Sequence, residues 1–216
     1  MVKLLGQNNS LFNQFLYELR DAQIQKEPMR FRRNLERIGE VFAYEVSKEL
    51  QWTAKEVTTP LGTLDIKILK DYPVIASILR AGLPIHHGIL NYFDKAENAF
   101  VSAYRKPNRV GKFSIQVEYT SSPDLTGKTL IIADAMLATG SSMYLTYKEL
   151  ASHGQPKHTH IFAILASVEG VEYIQKHLKN AKITLWVGAI DDELTAEAYI
   201  VPGLGDAGDL AYGSKI

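Results

Sequence analysis

The chain has 216 residues, 46% hydrophobic and 22% charged, the makeup of an ordinary soluble protein and the size of one domain, or of one domain with an appendage. Lys plus Arg and Asp plus Glu both number 24, so no overall positive field draws nucleic acid and any anion must be held by local groups. The absence of cysteine rules out disulfides and Cys-ligated zinc or iron–sulfur sites, and no stretch approaches the roughly 18 apolar residues of a membrane span, so the expectation is a cytoplasmic protein, neither exported nor embedded.

Residues 1–10 are polar after Leu5 and lack the apolar core of a signal peptide. Phe31, Leu35, Ile38, Phe42 and Val46 recur at spacings of three and four, which predicts an amphipathic helix with Arg32, Arg33, Glu36 and Arg37 on its outer face. It belongs to a helical lead-in over 1–50, whose apolar stripe needs a body to pack on, either its own sheet or a second subunit. From about residue 71, apolar, β-branched runs at 73–78, 99–104, 129–133, 161–166 and 183–190 read as strands buried on both faces. Helical patterns at 84–92, 141–153 and 170–180 lie between them. Repeated βαβ order calls for an α/β fold, a mostly parallel central sheet flanked by helices, in a single domain over 1–216. Residues 106–126 are polar, with Phe113, Ile115, Val117 and Tyr119 alternating, which predicts a projecting β-arm or flap. The stretch 201–213 holds Gly203, Gly205, Gly208 and Gly213 and is expected to form no regular element.

Ligands of open α/β sheets bind outside the carboxyl ends of the strands. Residues 129–134 read as a strand ending in Asp134, followed by Thr139-Gly140-Ser141-Ser142 and a helix. Unpaired N–H groups at a helix start, with the hydroxyls of Thr139, Ser141 and Ser142, make a cradle for a phosphate monoester. Asp134 would then accept hydrogen bonds from sugar hydroxyls or sit near a magnesium ion held by the same ligand. The alternative is that Ser141 caps the helix and Asp134 is an ordinary strand-end residue. No Walker loop or dinucleotide fingerprint is present.

The strand at 73–78 runs into Arg80, Gly82 and Pro84, where a guanidinium would hold diphosphate oxygens bidentately and a glycine would let the backbone approach a ligand. Arg105 and Lys106 end the next strand in the same manner. The alternative for each is a solvated charge. His86-His87 and His158-x-His160 have no visible third metal ligand, and Tyr144 and Tyr147, at helical spacing, read as packing.

Ile78-Leu-Arg80-Ala-Gly82-Leu83, Tyr104-Arg105, Asp134-Ala-Met-Leu-Ala-Thr-Gly140 and Tyr199-Ile200-Val-Pro-Gly-Leu-Gly205-Asp206-Ala-Gly-Asp209 resemble, in order and spacing, the uracil phosphoribosyltransferases, a branch of the type I phosphoribosyltransferases. Phe31-Arg32, Leu35, Ile38-Gly39, Tyr44-Glu45 and Thr59-Pro-Leu-Gly62 extend the resemblance from about residue 30 to the end. The resemblance implies the type I fold and an enzyme that joins uracil to phosphoribosyl diphosphate, giving uridine monophosphate and diphosphate. It implies that Arg80, Ala81, Gly82, Arg105, the run Asp134, Ala135, Met136, Leu137, Ala138, Thr139, Gly140, Ser141, Ser142, and Asp206 contact phosphoribosyl diphosphate. Ile200, Gly205, Asp206 and Ala207, within a loop over 199–214, would contact uracil, largely through backbone groups. Catalytic roles would fall to Arg80, Arg105, Asp134 and Asp206, with Mg2+ carried by the diphosphate substrate rather than held directly by the chain.

The resemblance also implies a homodimer or higher oligomer. The chain departs from the family pattern at Ala135, where proline is usual, at Ser141, where glycine is common, and at Leu210, Tyr212 and Ser214, where a basic residue, Phe and Thr are usual. The tail departures leave a different base open, and a regulator that binds phosphoribosyl diphosphate without catalysis is a further alternative.

Overall fold

The computed structural model describes residues 1–107 and 113–215, with the side chains of 104–107 and 113–116 outside the described set. The chain opens on a short strand, β1 (Val2–Leu4), then α1 (Leu11–Arg20), α2 (Pro28–Ser47) and a ribbon of β2 (Trp52–Thr59) and β3 (Gly62–Leu69). The α/β alternation follows as β4 (Val74–Leu79), α3 (Gly82–Leu90), β5 (Asn98–Pro107), β6 (Phe113–Ser121), β7 (Thr129–Leu137), α4 (Ser141–Ser152), β8 (His158–Ser167), α5 (Val168–His177) and β9 (Ile183–Asp191). A second ribbon, β10 (Glu193–Leu194) with β11 (Ile200–Val201), and a last helix, α6 (Ala207–Tyr212), complete it.

Among the described residues a seven-stranded sheet has the order β1-β9-β8-β7-β4-β5-β6. Every neighbouring pair is parallel except β5 and β6, which run antiparallel from Phe100↔Ser121 to Pro107↔Phe113. The period-two logic of a sheet covered on both sides is visible residue by residue. Ile75, Ile131 and Ala133 join the apolar cluster under α1, α2 and α3, whereas Val74, Ala76, Leu130 and Ile132 join the cluster under α4 and α5. No helix among the described residues is long and apolar enough to cross a membrane.

The stripe Phe31, Leu35, Ile38, Phe42 and Val46 is fully buried, and it docks on the chain's own sheet. Phe42 stacks on Phe162 of β8 at 4.3 Å and 12°, and meets Trp186 of β9 edge-on at 5.8 Å. The polar face of α2 needs correcting: Arg32 is not simply outside, because its Nη1 donates to the Ala211 carbonyl at 2.6 Å.

Other elements were not foreseen. β1 pairs with β9 from Val2↔Leu185 to Leu4↔Val187, too short a strand to show as a pattern in the sequence. Residues 52–69 form a regular ribbon whose strands are exposed on both faces, with Leu69 alone half-covered. The carboxy-terminal stretch contains a helix after all. Gly203 and Gly205, at φ +57° and +89°, make the turns, and Asp206 then caps α6 by accepting the Asp209 N–H at 2.9 Å.

Candidate active site

β4 is buried and ends at Leu79, Arg80 and Ala81 are partly exposed, and α3 begins at Gly82. The glycine is demanded by the adjacent strand, since a Cβ there would stand 2.6 Å from the Ala133 carbonyl oxygen and 2.9 Å from Ser77 Oγ. Ligand approach, the reason read from sequence, is not needed to explain it. Arg80 is not a solvated charge. It turns across the sheet end, donating from Nη2 to Asp209 Oδ1 at 2.8 Å and from Nη1 to the Gly213 carbonyl at 3.2 Å. The two side chains of this pair are 38% and 33% exposed, so the bridge is weak.

β7 does not stop at Asp134 but runs on to Leu137, because β8 offers partners as far as Leu137↔Ala166. The true loop is therefore 138–140. Asp134 Oδ1 accepts the Ala135 N–H at 2.7 Å. Burial pushes its carboxyl up to about 7, against the opposing pull of the Ala135 and Met136 N–H groups. Gly140, at φ +79°, is the residue that caps α4, and it has no side chain with which to satisfy the helix. Ser141 is thus the first helical residue rather than a cap, and the N–H groups of the first turn face the loop together with its hydroxyls. Thr139 and Ser141 bring their oxygens to 3.3 Å of each other. Gly140 has no room for a Cβ, which would lie 2.9 Å from Tyr173 Cδ1 and 3.0 Å from the Gly170 carbonyl oxygen.

The loop is held from behind by a residue that sequence reading passed over. Buried Ser167, the cap of α5, donates to the Ala138 carbonyl at 2.7 Å and accepts the Gly170 N–H at 2.9 Å. A serine three residues before Gly170 at a strand-to-helix junction was a legible capping signal, but its second partner, 29 residues away, was not.

The carboxy-terminal loop joins the same edge. Ile200 and Ala207, each 3% exposed, sink their side chains into the cluster under α2 and α3, against which Ala81, Met136 and Ala138 also pack. What Ile200 and Ala207 present to a ligand is main chain, flanked by exposed Gly205. Gly208 lies beside Arg80, since a Cβ on it would stand 3.5 Å from Arg80 Nη2. The tail departures fit this arrangement: Leu210 packs on the same cluster and the Tyr212 ring lies 5.8 Å from the Arg32 guanidinium.

The fold therefore brings together Arg80, Ala81, Gly82, the 134–142 segment and the 200–213 segment. Arg105 follows on β5, the parallel neighbour of β4, its backbone paired with Ile115, while its side chain and that of Lys106 lie outside the described set. The histidines stay out of the site. His160 Nδ1 accepts the Trp186 Nε1–H at 3.1 Å, and burial lowers His160 to about 3 and His86 to about 4. Among the described residues no three acid or histidine side chains gather as a metal site.

The family described as uracil phosphoribosyltransferase matches residues 7–214. A uracil phosphoribosyltransferase of Porphyromonas gingivalis is 56% identical over 212 residues, covering 98% of each chain. The structure of the AQ2163 protein from Aquifex aeolicus superposes over 100% of both chains with a TM-score of 0.87 at 28% identity. A hypoxanthine phosphoribosyltransferase of Staphylococcus aureus, 15% identical with a TM-score of 0.50, shares the fold over 74% of each chain.

Proposed function

The chain belongs to the uracil phosphoribosyltransferase family, and on that premise we propose how its residues join uracil to phosphoribosyl diphosphate, giving uridine monophosphate and diphosphate in pyrimidine salvage. The 5-phosphate sits on the first-turn N–H groups of α4 and the hydroxyls of Thr139, Ser141 and Ser142. Asp134 takes the ribose hydroxyls. Arg80 and Arg105 take the diphosphate, and the main chain of Ile200 and of 205–207 reads the neutral donor and acceptor edge of uracil. The bond from ribose C1 to the diphosphate oxygen breaks, its electron pair leaving with the diphosphate, as the bond from C1 to uracil N1 forms, and the N1 proton passes to the departing diphosphate. Charge develops on the departing diphosphate, so the positive charges of Arg80 and Arg105 contribute most in the transition state.

The observation that carries this reading is the reach of Arg80 from the end of β4 to Asp209 and Gly213, a contact that supports treating the proposed diphosphate end and base loop as one site. Asp134 Oδ1 accepts the Ala135 N–H, Asp206 Oδ1 caps α6 and its Oδ2 lies 3.5 Å from Lys215 Nζ. Among the described residues no cluster of three acid or histidine side chains is present, a donor set that suits magnesium bound mainly through substrate oxygens and water. Bound there, magnesium would supply charge neutralisation at the diphosphate. We assign to the arm over 106–126 the exclusion of water from the activated sugar; residues 108–112 lie outside the described residues. The chain is placed in the cytoplasm, which suits its lack of cysteine. A homodimer or larger assembly is favoured by the β2–β3 ribbon, whose Val57, Leu64, Ile66 and Ile68 share one uncovered face.

The test is to supply magnesium and phosphoribosyl diphosphate with uracil, cytosine, orotate or hypoxanthine in turn and to separate the nucleotides formed. Uridine monophosphate from uracil is expected, and nucleotide from another base alone, or from none, overturns the reading. Arg80→Ala should lower turnover by ~100-fold or more; an unchanged rate removes Arg80 from the mechanism.

A further inference from the structure

The base loop is anchored by two side chains from outside it, and each works on the same residue. Asp191 Oδ2 accepts the Gly203 N–H at 2.9 Å, and Arg20 Nη1 donates to the Gly203 carbonyl at 3.2 Å. The two anchors hold each other as a fork, Nη1 to Oδ2 at 2.7 Å and Nη2 to Oδ1 at 2.8 Å. Arg20 is the last residue of α1 and Asp191 the last of β9, and their side chains are only 24% and 8% exposed. Gly203 itself is buried in a closed turn at φ +57°, where a Cβ would stand 2.0 Å from the Ile200 carbonyl oxygen.

From this geometry we propose that Arg20 and Asp191 are positioning residues for base recognition: by pinning both backbone groups of Gly203 they set where the main chain of 204–207 meets uracil. The inference rests on the reading of that loop as the base site. Recognition through backbone groups has no side-chain freedom with which to correct a misplaced loop, so the position of the loop decides affinity, and a bidentate fork is the stiffest pairing that side chains offer. Burial works to raise the Asp191 carboxyl, but the donors of Arg20 and the Gly203 N–H outweigh it and hold the group below the usual carboxylate range. The Arg20–Asp191 attraction by itself is not what the fold needs, because apolar side chains of similar volume join two elements as well or better; the need comes from the buried Gly203 backbone groups. What apolar side chains cannot do is bind an N–H and a carbonyl.

That contrast supplies the experiment. The double variant Arg20→Met/Asp191→Leu replaces the pair with apolar volume, and steady-state kinetics are measured with uracil and phosphoribosyl diphosphate varied separately. The uracil KM should rise ~tenfold or more while the phosphoribosyl diphosphate KM stays within ~twofold and cooperative melting is retained. Arg20→Lys, which keeps the charge but loses the fork, should fall between, and it decides the matter if the double variant does not fold. Equal changes in both KM values, or none, overturn the inference. Wild-type protein is the control: without its conversion of uracil to uridine monophosphate the assigned activity fails, whereas an active wild type with an unmoved uracil KM in the variants removes only the clamp.

Discussion

Asp134 is an acid whose neutral form the fold favours. Its carboxyl lies at about 7 in the folded chain against an ordinary 3.8, so the stability it contributes is fully present below about 3.8 and is lost as pH rises through about 7. Asp134→Asn should therefore melt higher than wild type at pH 8, by ~5 °C, with the gap closing toward pH 4. Calorimetry across that range checks it, and the same variant should bind phosphoribosyl diphosphate more weakly, because an amide is a poorer partner for ribose hydroxyls. Asp209 has the opposite role. It occupies Arg80 at 2.8 Å in a partly exposed bridge, which under the proposed function competes with an incoming diphosphate. Asp209→Asn should tighten phosphoribosyl diphosphate, but by no more than ~fivefold, since exposed pairs are worth under about 1 kcal/mol. Titration calorimetry with the substrate reads this, and weaker binding would mean that Asp209 orients Arg80 rather than competing for it.

The elements around the site differ in how they are sustained. α2 is held by a full apolar stripe on its own sheet, with Phe42 against Phe162 at its centre. Gly140 at the start of α4 lies against Gly170 and Tyr173 of α5, and Gly170 lies against the Leu137 and Ala138 carbonyls at the end of β7, so neither position has room for a side chain. The β2–β3 ribbon has none of this. It exposes Leu64 and Ile66 at 50% each, and an isolated two-stranded ribbon is marginal in water, which is the basis on which a second subunit is proposed to cover this face. Ile66→Glu should shift the protein toward monomer in light scattering after gel filtration, with the far-ultraviolet spectrum little changed. An oligomer that survives the substitution would show that this face is not the contact.

At the scale of the whole molecule, ends of β4, β5 and β7 and the segment after β9 are drawn to one edge by the order of the sheet. A ligand that touches several of them ties the fold together, so phosphoribosyl diphosphate at a hundredfold over its Kd should stabilise the chain by about 2.7 kcal/mol and raise its melting temperature by several degrees. The rise should largely vanish in Arg80→Ala; a rise of equal size there would mean that the loops do not share the ligand. Much of this was legible in the chain itself. The βαβ order, the buried strands and the stripe of α2 follow from periodicity, and so does the position of Arg80 at a strand end just before a helix start, whereas the loop ahead of α4 is expected from 135 and begins only at 138 because β8 extends β7. Tertiary structure alone decided that α2 packs on its own sheet, that Val2–Leu4 closes an edge beside β9, that Arg80 meets Asp209, and that Ser167, Arg20 and Asp191 brace the loops. The physical reason is range: a periodic pattern or a helix start is complete within a few residues, whereas Arg20 and Asp191 lie 171 positions apart and become partners only after the sheet order has carried them to the same edge.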